Sequence, residues 1–138
     1  MKHFGSILEF TEQRNKELLE TYKNYLDRYY LYVMPEIHKM VAESPSSRFW
    51  VSEERASIVV SAMLAGKPLP RMNKNKLEMF KEIFNRFLQL RKIFPKRSVY
   101  DLVFDIVNQP APKFYMTPRT VGEYINRIKN CRNGKFKS

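Results

Sequence analysis

The chain has 138 residues, with 25 Lys or Arg against 14 Asp or Glu and a formal charge of +11. Hydrophobic residues make up 43% and aromatics 14%, which excludes a disordered basic tail and fits one or two small domains with a core. The single cysteine, Cys131, excludes an internal disulfide or a multi-cysteine zinc site and fits a reducing compartment. No apolar run approaches the roughly 20 residues of a membrane helix, and Met1 to Gly5 opens no signal peptide. A soluble, cytoplasmic protein without a membrane partner is expected.

Apolar residues at steps of three and four, namely Leu18, Tyr22, Tyr25, Leu26, Tyr29 and Val33, predict a long helix from about Ser6 to Val33. Pro35 breaks it, and a short helix follows from Glu36 to about Glu43 with Ile37, Met40 and Val41 on one side. Ser44 to Val51 reads as a connection. Ser52 caps a third helix with Ala56, Val59, Val60 and Met63 inward, ending near Gly66. The pattern then returns. A long helix is predicted from Asn73 to about Ile93, with Met79, Phe80, Ile83, Phe84, Phe87 and Leu88 on a wide apolar face, ended by Pro95. Ser98 caps a shorter helix carrying Leu102, Val103, Ile106 and Val107. Asn108 to Met116 forms a Pro-rich connection, and Thr117 caps a last helix with Pro118 at its first position and Val121, Tyr124, Ile125 and Ile128 inward. Residues 131–138 show no apolar periodicity and read as a basic flexible tail.

Shifted by 65 residues, Pro45 to Ser52 aligns without a gap on Pro110 to Thr117, six of the eight pairs being identical or conservative. Ala56, Val60 and Met63 then fall on Val121, Ile125 and Ile128. A shift of 61 brings Leu18, Leu19 and Leu26 onto Met79, Phe80 and Phe87. The expected fold is all-α, two tandem, internally duplicated three-helix units packed into one compact body, divided as 1–66, 67–130 and the tail. Within the shared string, Val51 and Met116 precede the caps as hydrophobic staples on Ala56 and Val121. Alternation along an extended chain predicts Phe49 and Phe114 in the core, with Trp50 and Tyr115 in a second packing layer or partly exposed, beside Arg48 and Lys113.

Charge is uneven along the chain. Residues 1–46 hold six basic and seven acidic side chains, whereas residues 47–138 hold nineteen and seven. Such a field suits a polyanionic partner. Long helix, short helix, connection and third helix resemble the trihelical helix-turn-helix family of DNA-binding domains. On that resemblance Met116 to Lys129 corresponds to the recognition helix, and Arg119, Thr120, Glu123, Asn126 and Arg127 would face the major groove, Arg suiting guanine and Asn adenine edges. The roughly eight-residue connection departs from the three or four residues of that family's turn. Lys129, Lys113, Tyr115, Lys92, Lys96 and Arg97 complete the candidate nucleic-acid contacts, with Arg71, Lys74 and Lys76 as further phosphate contacts. The first copy's outward positions, including Glu53, Glu54, Arg55, Ile58 and Ser61, suit a scaffold or a protein contact.

Catalytic signals are weak. His3 and His38 have no partner at metal spacing, no Gly-rich phosphate loop occurs, and Tyr29, Tyr30 and Tyr32 lack the Arg and His setting of a tyrosine nucleophile. The chain therefore reads as no enzyme, with no cofactor, metal or small-molecule substrate. Phe49 to Ala56 and Pro110 to Thr120 resemble segments of uncharacterised short proteins of Bacteroides-type phages and mobile elements, which implies such a context and no activity. The leading expectation is a helix-turn-helix-like protein that binds duplex DNA through its second half. The alternative is a protein-interaction or virion-associated component, with a protein partner or self-association through the first unit, located within a phage particle.

Overall fold

A computed structural model describes residues 2–28 and 34–132. The expected continuation of the first helix to Val33, the tyrosines Tyr29, Tyr30 and Tyr32, and the tail beyond Arg132 lie outside the described residues. Among those described there are six helices and no strand: α1 (Lys2–Arg28), α2 (Met34–Ala42), α3 (Glu53–Leu64), α4 (Lys74–Ile93), α5 (Val99–Val107) and α6 (Pro118–Arg132). The protein is all-α.

The caps follow from sequence chemistry. Ser52, Ser98 and Thr117 each take up a backbone N–H of the third residue of the following helix at 3.1 Å, from Arg55, Asp101 and Thr120 respectively. Asn73 does the same for α4, accepting from Lys76 N–H at 2.8 Å. Gly66, at φ 72°, supplies the left-handed residue after α3. Two boundaries differ from expectation. Helix α1 begins near the first residues and includes Gly5, and α2 starts at Met34, so Pro35 lies in its first turn, where a missing N–H is harmless. The apolar face of α4 is narrower than its composition suggests, because Phe84 is only half-buried and Leu88 is exposed.

The helices do not group in chain order. One unit comprises Met1–Ser44 and Pro112–Ser138, in which α1, α2 and α6 pack on one another. The other comprises Pro45–Ala111, in which α3, α4 and α5 pack on one another. This corrects the sequential division at residues 66 and 67: α3 packs with α4 and α5, and α6 with α1 and α2. The physical reason is that α3 and α6 carry the same 0, 3, 4, 7 apolar stripe, so either satisfies either pair of partners.

In the first unit Leu18, Tyr22, Ile37, Val41, Phe114, Val121 and Ile125 are buried. In the second, Phe49, Val59, Val60, Phe80, Ile83, Phe87, Leu102 and Ile106 are buried. Phe49 and Phe114 thus take the core positions expected of them, and Trp50 and Tyr115 are half-buried. The backbone bonds of the connections recur at the 65-residue spacing. Phe49 N–H donates to Val107 O at 3.0 Å within the second unit, and Phe114 N–H donates to Ala42 O at 3.2 Å within the first. Ser46 and Ala111, themselves 65 apart, exchange two bonds of 2.9 Å as an isolated antiparallel bridge.

Candidate nucleic-acid interface

Helix α6 is set against α2 by a close approach. Val121, Gly122 and Ile125 are buried, and a Cβ on Gly122 would lie 2.8 Å from His38 Cε1 and 2.9 Å from Nδ1. Any side chain at this position would force the imidazole or the helix to shift. The Tyr22 ring lies 5.9 Å from the same imidazole, and Lys129 Nζ donates to Tyr22 Oη at 3.1 Å. Burial, and secondarily the charge of Lys129, hold the His38 pKa below its ordinary 6.5.

The opposite face of α6 is open. Arg119, Glu123, Asn126, Arg127 and Lys129 are exposed and Thr120 is half-buried, its hydroxyl accepting from that of Thr117 at 2.9 Å. Arg119 pairs with Glu123 one turn on at 3.4 Å, with side-chain exposures of 89% and 53%, so the pair is held too weakly to withhold Arg119 from a ligand. The guanidinium of Arg127 stands over the Tyr124 ring at 5.4 Å, and that of Arg14 over the same ring at 4.4 Å. Asn126 makes no side-chain hydrogen bond among the described residues. This row presents guanidinium and amide groups of the kind that read base edges. Lys129 differs from the others because Tyr22 already engages it.

The other candidates are spread more widely. Lys113 Nζ lies 5.4 Å from the Tyr115 ring, and Tyr115 itself sits at φ 61°, an uncommon backbone conformation for an aromatic residue. Both belong to the same unit as α6. Lys92, Lys96 and Arg97 belong to the other unit. Lys92 and Lys96 are exposed and form no ion pair among the described residues, whereas Arg97 is taken up internally, pairing with Asp105 at 2.8 Å and donating to Asp101 O at 3.1 Å.

Regrouping also changes the charge argument. The unit with α6 holds thirteen basic and eight acidic residues, and the other holds twelve and six. The asymmetry along the chain is therefore not an asymmetry between the units.

Two arginines that sequence reading did not single out as structural hold the connection of the second unit. Arg48 donates to Phe49 O at 3.0 Å, Val51 O at 2.9 Å and Asn108 Oδ1 at 3.3 Å, with Glu53 at 3.8 Å. Burial lowers its pKa, opposed by Glu53. Arg86 lies over the Phe49 ring at 4.9 Å and donates to Pro110 O at 3.0 Å. Arg48 stands beside Trp50, its guanidinium 5.7 Å from the ring centre, but its donors are taken up by carbonyls. The advance signal was a basic residue directly before an aromatic one, Arg48 before Phe49 and Arg86 before Phe87.

Among the described residues no helix is long and apolar enough to cross a membrane, and no three His, Cys, Asp or Glu side chains converge as a metal site. No protein-family model, curated protein or solved structure matches the chain.

Proposed function

We propose that the chain is a non-enzymatic, helix-turn-helix-like protein that binds duplex DNA through the outward face of α6, in a phage or mobile-element setting. The observation that carries this reading is the division of α6. Val121, Gly122 and Ile125 are buried while Arg119, Glu123, Asn126 and Arg127 are exposed, a polar row on a helix fixed from behind by His38. The net positive charge of its unit supplies a phosphate term, and Lys113 lies on the chain just before the helix. The same reading takes the two three-helix sets as copies of one ancestral segment, supported by the cap and connection bonds that recur 65 residues apart.

A mobility-shift titration over salt tests the function. Binding should weaken steeply, with a log–log slope of about −0.9 for each phosphate neutralised. Arg119→Ala and Arg127→Ala should each weaken it, with Arg127→Ala the larger loss of sequence preference. No binding to any duplex at low salt overturns the proposal.

A second reading, protein interaction or a virion-associated role, is favoured by the exposed apolar side chains of the second unit. Ile58 is 63% and Ile93 67% exposed, and the Tyr100 and Phe104 rings, 6.3 Å apart, are both nearly half exposed. Light scattering showing a stable assembly indifferent to added duplex would favour it.

A further inference from the structure

Within the second unit a cavity of about 210 Å³ opens between the connection before α3 and the start of α4. Trp50, Val51, Met72, Met79 and Phe80 form its apolar lining. Arg55, Arg71 and Lys76 stand around it, all exposed, and none of the three makes a side-chain hydrogen bond or ion pair among the described residues. Elsewhere in this unit Arg48, Arg86 and Arg97 all have partners. Three unpartnered cations on one cavity form a localised positive field over a low-dielectric wall, an arrangement that concentrates anions.

We propose that this cavity binds a nucleotide, with the base against Trp50 and the methionine side chains and the phosphate between Arg71, Lys76 and Arg55. The chemistry on both sides fits. An indole offers a face on which any base can stack, and thioether sulfur makes favourable contacts with aromatic rings. A phosphate group carries up to two negative charges and three acceptor oxygens, which guanidinium and ammonium groups satisfy. The size fits too, since a volume below the roughly 300 Å³ of pockets for drug-sized ligands takes a ring and leaves sugar and phosphate at the charged mouth.

The site belongs to one unit alone. At the corresponding positions of the other unit stand Tyr115 for Trp50, Thr120 for Arg55, Phe10 for Arg71 and Asn15 for Lys76. The Ser52 and Thr117 caps and the Phe49 and Phe114 connection bonds recur in both units, and they do so without these cations in the other unit. The inference does not rest on DNA binding by α6, which lies in the other unit.

Trp50 is the chain's single tryptophan and reports directly on the cavity. The full-length protein is titrated, following its emission, with a nucleoside monophosphate and, separately, with a short single-stranded oligonucleotide. Inorganic phosphate and phenyl phosphate serve as comparison probes. Saturable quenching by the mononucleotide, weakened about tenfold or more in Arg71→Ala and again in Lys76→Ala, is expected, each variant losing one charge-assisted contact. Tighter quenching by the oligonucleotide identifies an unpaired nucleotide of a strand as the source, and equal or weaker quenching identifies a free nucleotide. Arg119→Ala/Arg127→Ala should leave the quenching unchanged even if it abolishes duplex binding. No quenching, an equal effect of inorganic phosphate or phenyl phosphate, or full quenching in both Arg71→Ala and Lys76→Ala overturns the proposal. Both replaced side chains are exposed, and unchanged melting of the variants confirms that they fold.

Discussion

Ser46 and Ala111 bond each other twice, each backbone N–H donating to the other's carbonyl at 2.9 Å, although 65 residues separate them. Both are almost fully buried, so neither pair of groups has water to fall back on. Their amide hydrogens should exchange slowly and at similar rates in the native protein. Those of Leu69, Arg71 and Met72, which make no bond among the described residues, should exchange quickly. Ala111→Pro removes one donor and orphans the Ser46 carbonyl, at an expected cost of roughly 1–3 kcal/mol in denaturant unfolding. Fast exchange at both residues would contradict the bridge.

The contact of His38 with Gly122 reports which helix packs on α2. Gly122→Ala places a methyl group against the imidazole and should destabilise the protein by about 1–3 kcal/mol. His38→Ala removes the obstacle, so the double variant should be more stable than the sum of the single effects predicts. Additive effects would mean that α6 does not lie on α2.

Acidification should act through the same histidine. Its folded pKa lies below 6.5, so between the two values the unfolded chain binds more protons, and stability there rises with pH. The contribution is complete above the ordinary value of 6.5 and is lost as pH falls toward the folded one. The melting temperature of the native protein should therefore fall on mild acidification, and His38→Gln should flatten that part of the curve. An unchanged slope in the variant would remove His38 as the cause.

Arg48 and Arg119 should separate stability from binding. Arg48→Ala strips hydrogen bonds from two backbone carbonyls and Asn108 and should cost roughly 2–4 kcal/mol, with little rescue by Arg48→Lys, whose ammonium cannot reproduce the fork. Arg119→Ala touches only an exposed helix pair and should change stability by less than about 0.5 kcal/mol while weakening duplex binding. Chemical denaturation and mobility shift, run on both variants, check the contrast.

The helices and three of their caps were legible in the sequence because capping is local: Ser52, Ser98 and Thr117 need only the next turn. The outward row of α6 was legible for the same reason, since Val121, Ile125 and the exposed Arg119 and Asn126 follow one period. The partner of each third helix was not legible. Ala56, Val60 and Met63 are interchangeable with Val121, Ile125 and Ile128 as an apolar stripe, so periodicity alone cannot choose between α2 and α5. Long cationic side chains were also opaque: Arg48 reaches Asn108 and Lys129 reaches Tyr22, both distant along the chain, while Arg97 folds back on Asp101 and Asp105 of its own neighbourhood. The cavity at Trp50 depends on Arg55 meeting Arg71 and Lys76, which belong to segments that the expected division had placed apart.

The order of the helices in the two units bears on how the protein is made. Pro45–Ala111 is one uninterrupted stretch, and α3, α4 and α5 can close on one another as soon as residue 111 has left the ribosome. Helices α1 and α2 precede that stretch yet lack their third partner until α6, which follows it, has emerged. The unit begun before residue 45 is thus completed only after the one that follows it. Until then Leu18, Ile37 and Val41 remain without the cover of Val121 and Ile125, so a ribosome stalled before residue 118 would carry one finished unit and one sticky, unfinished one.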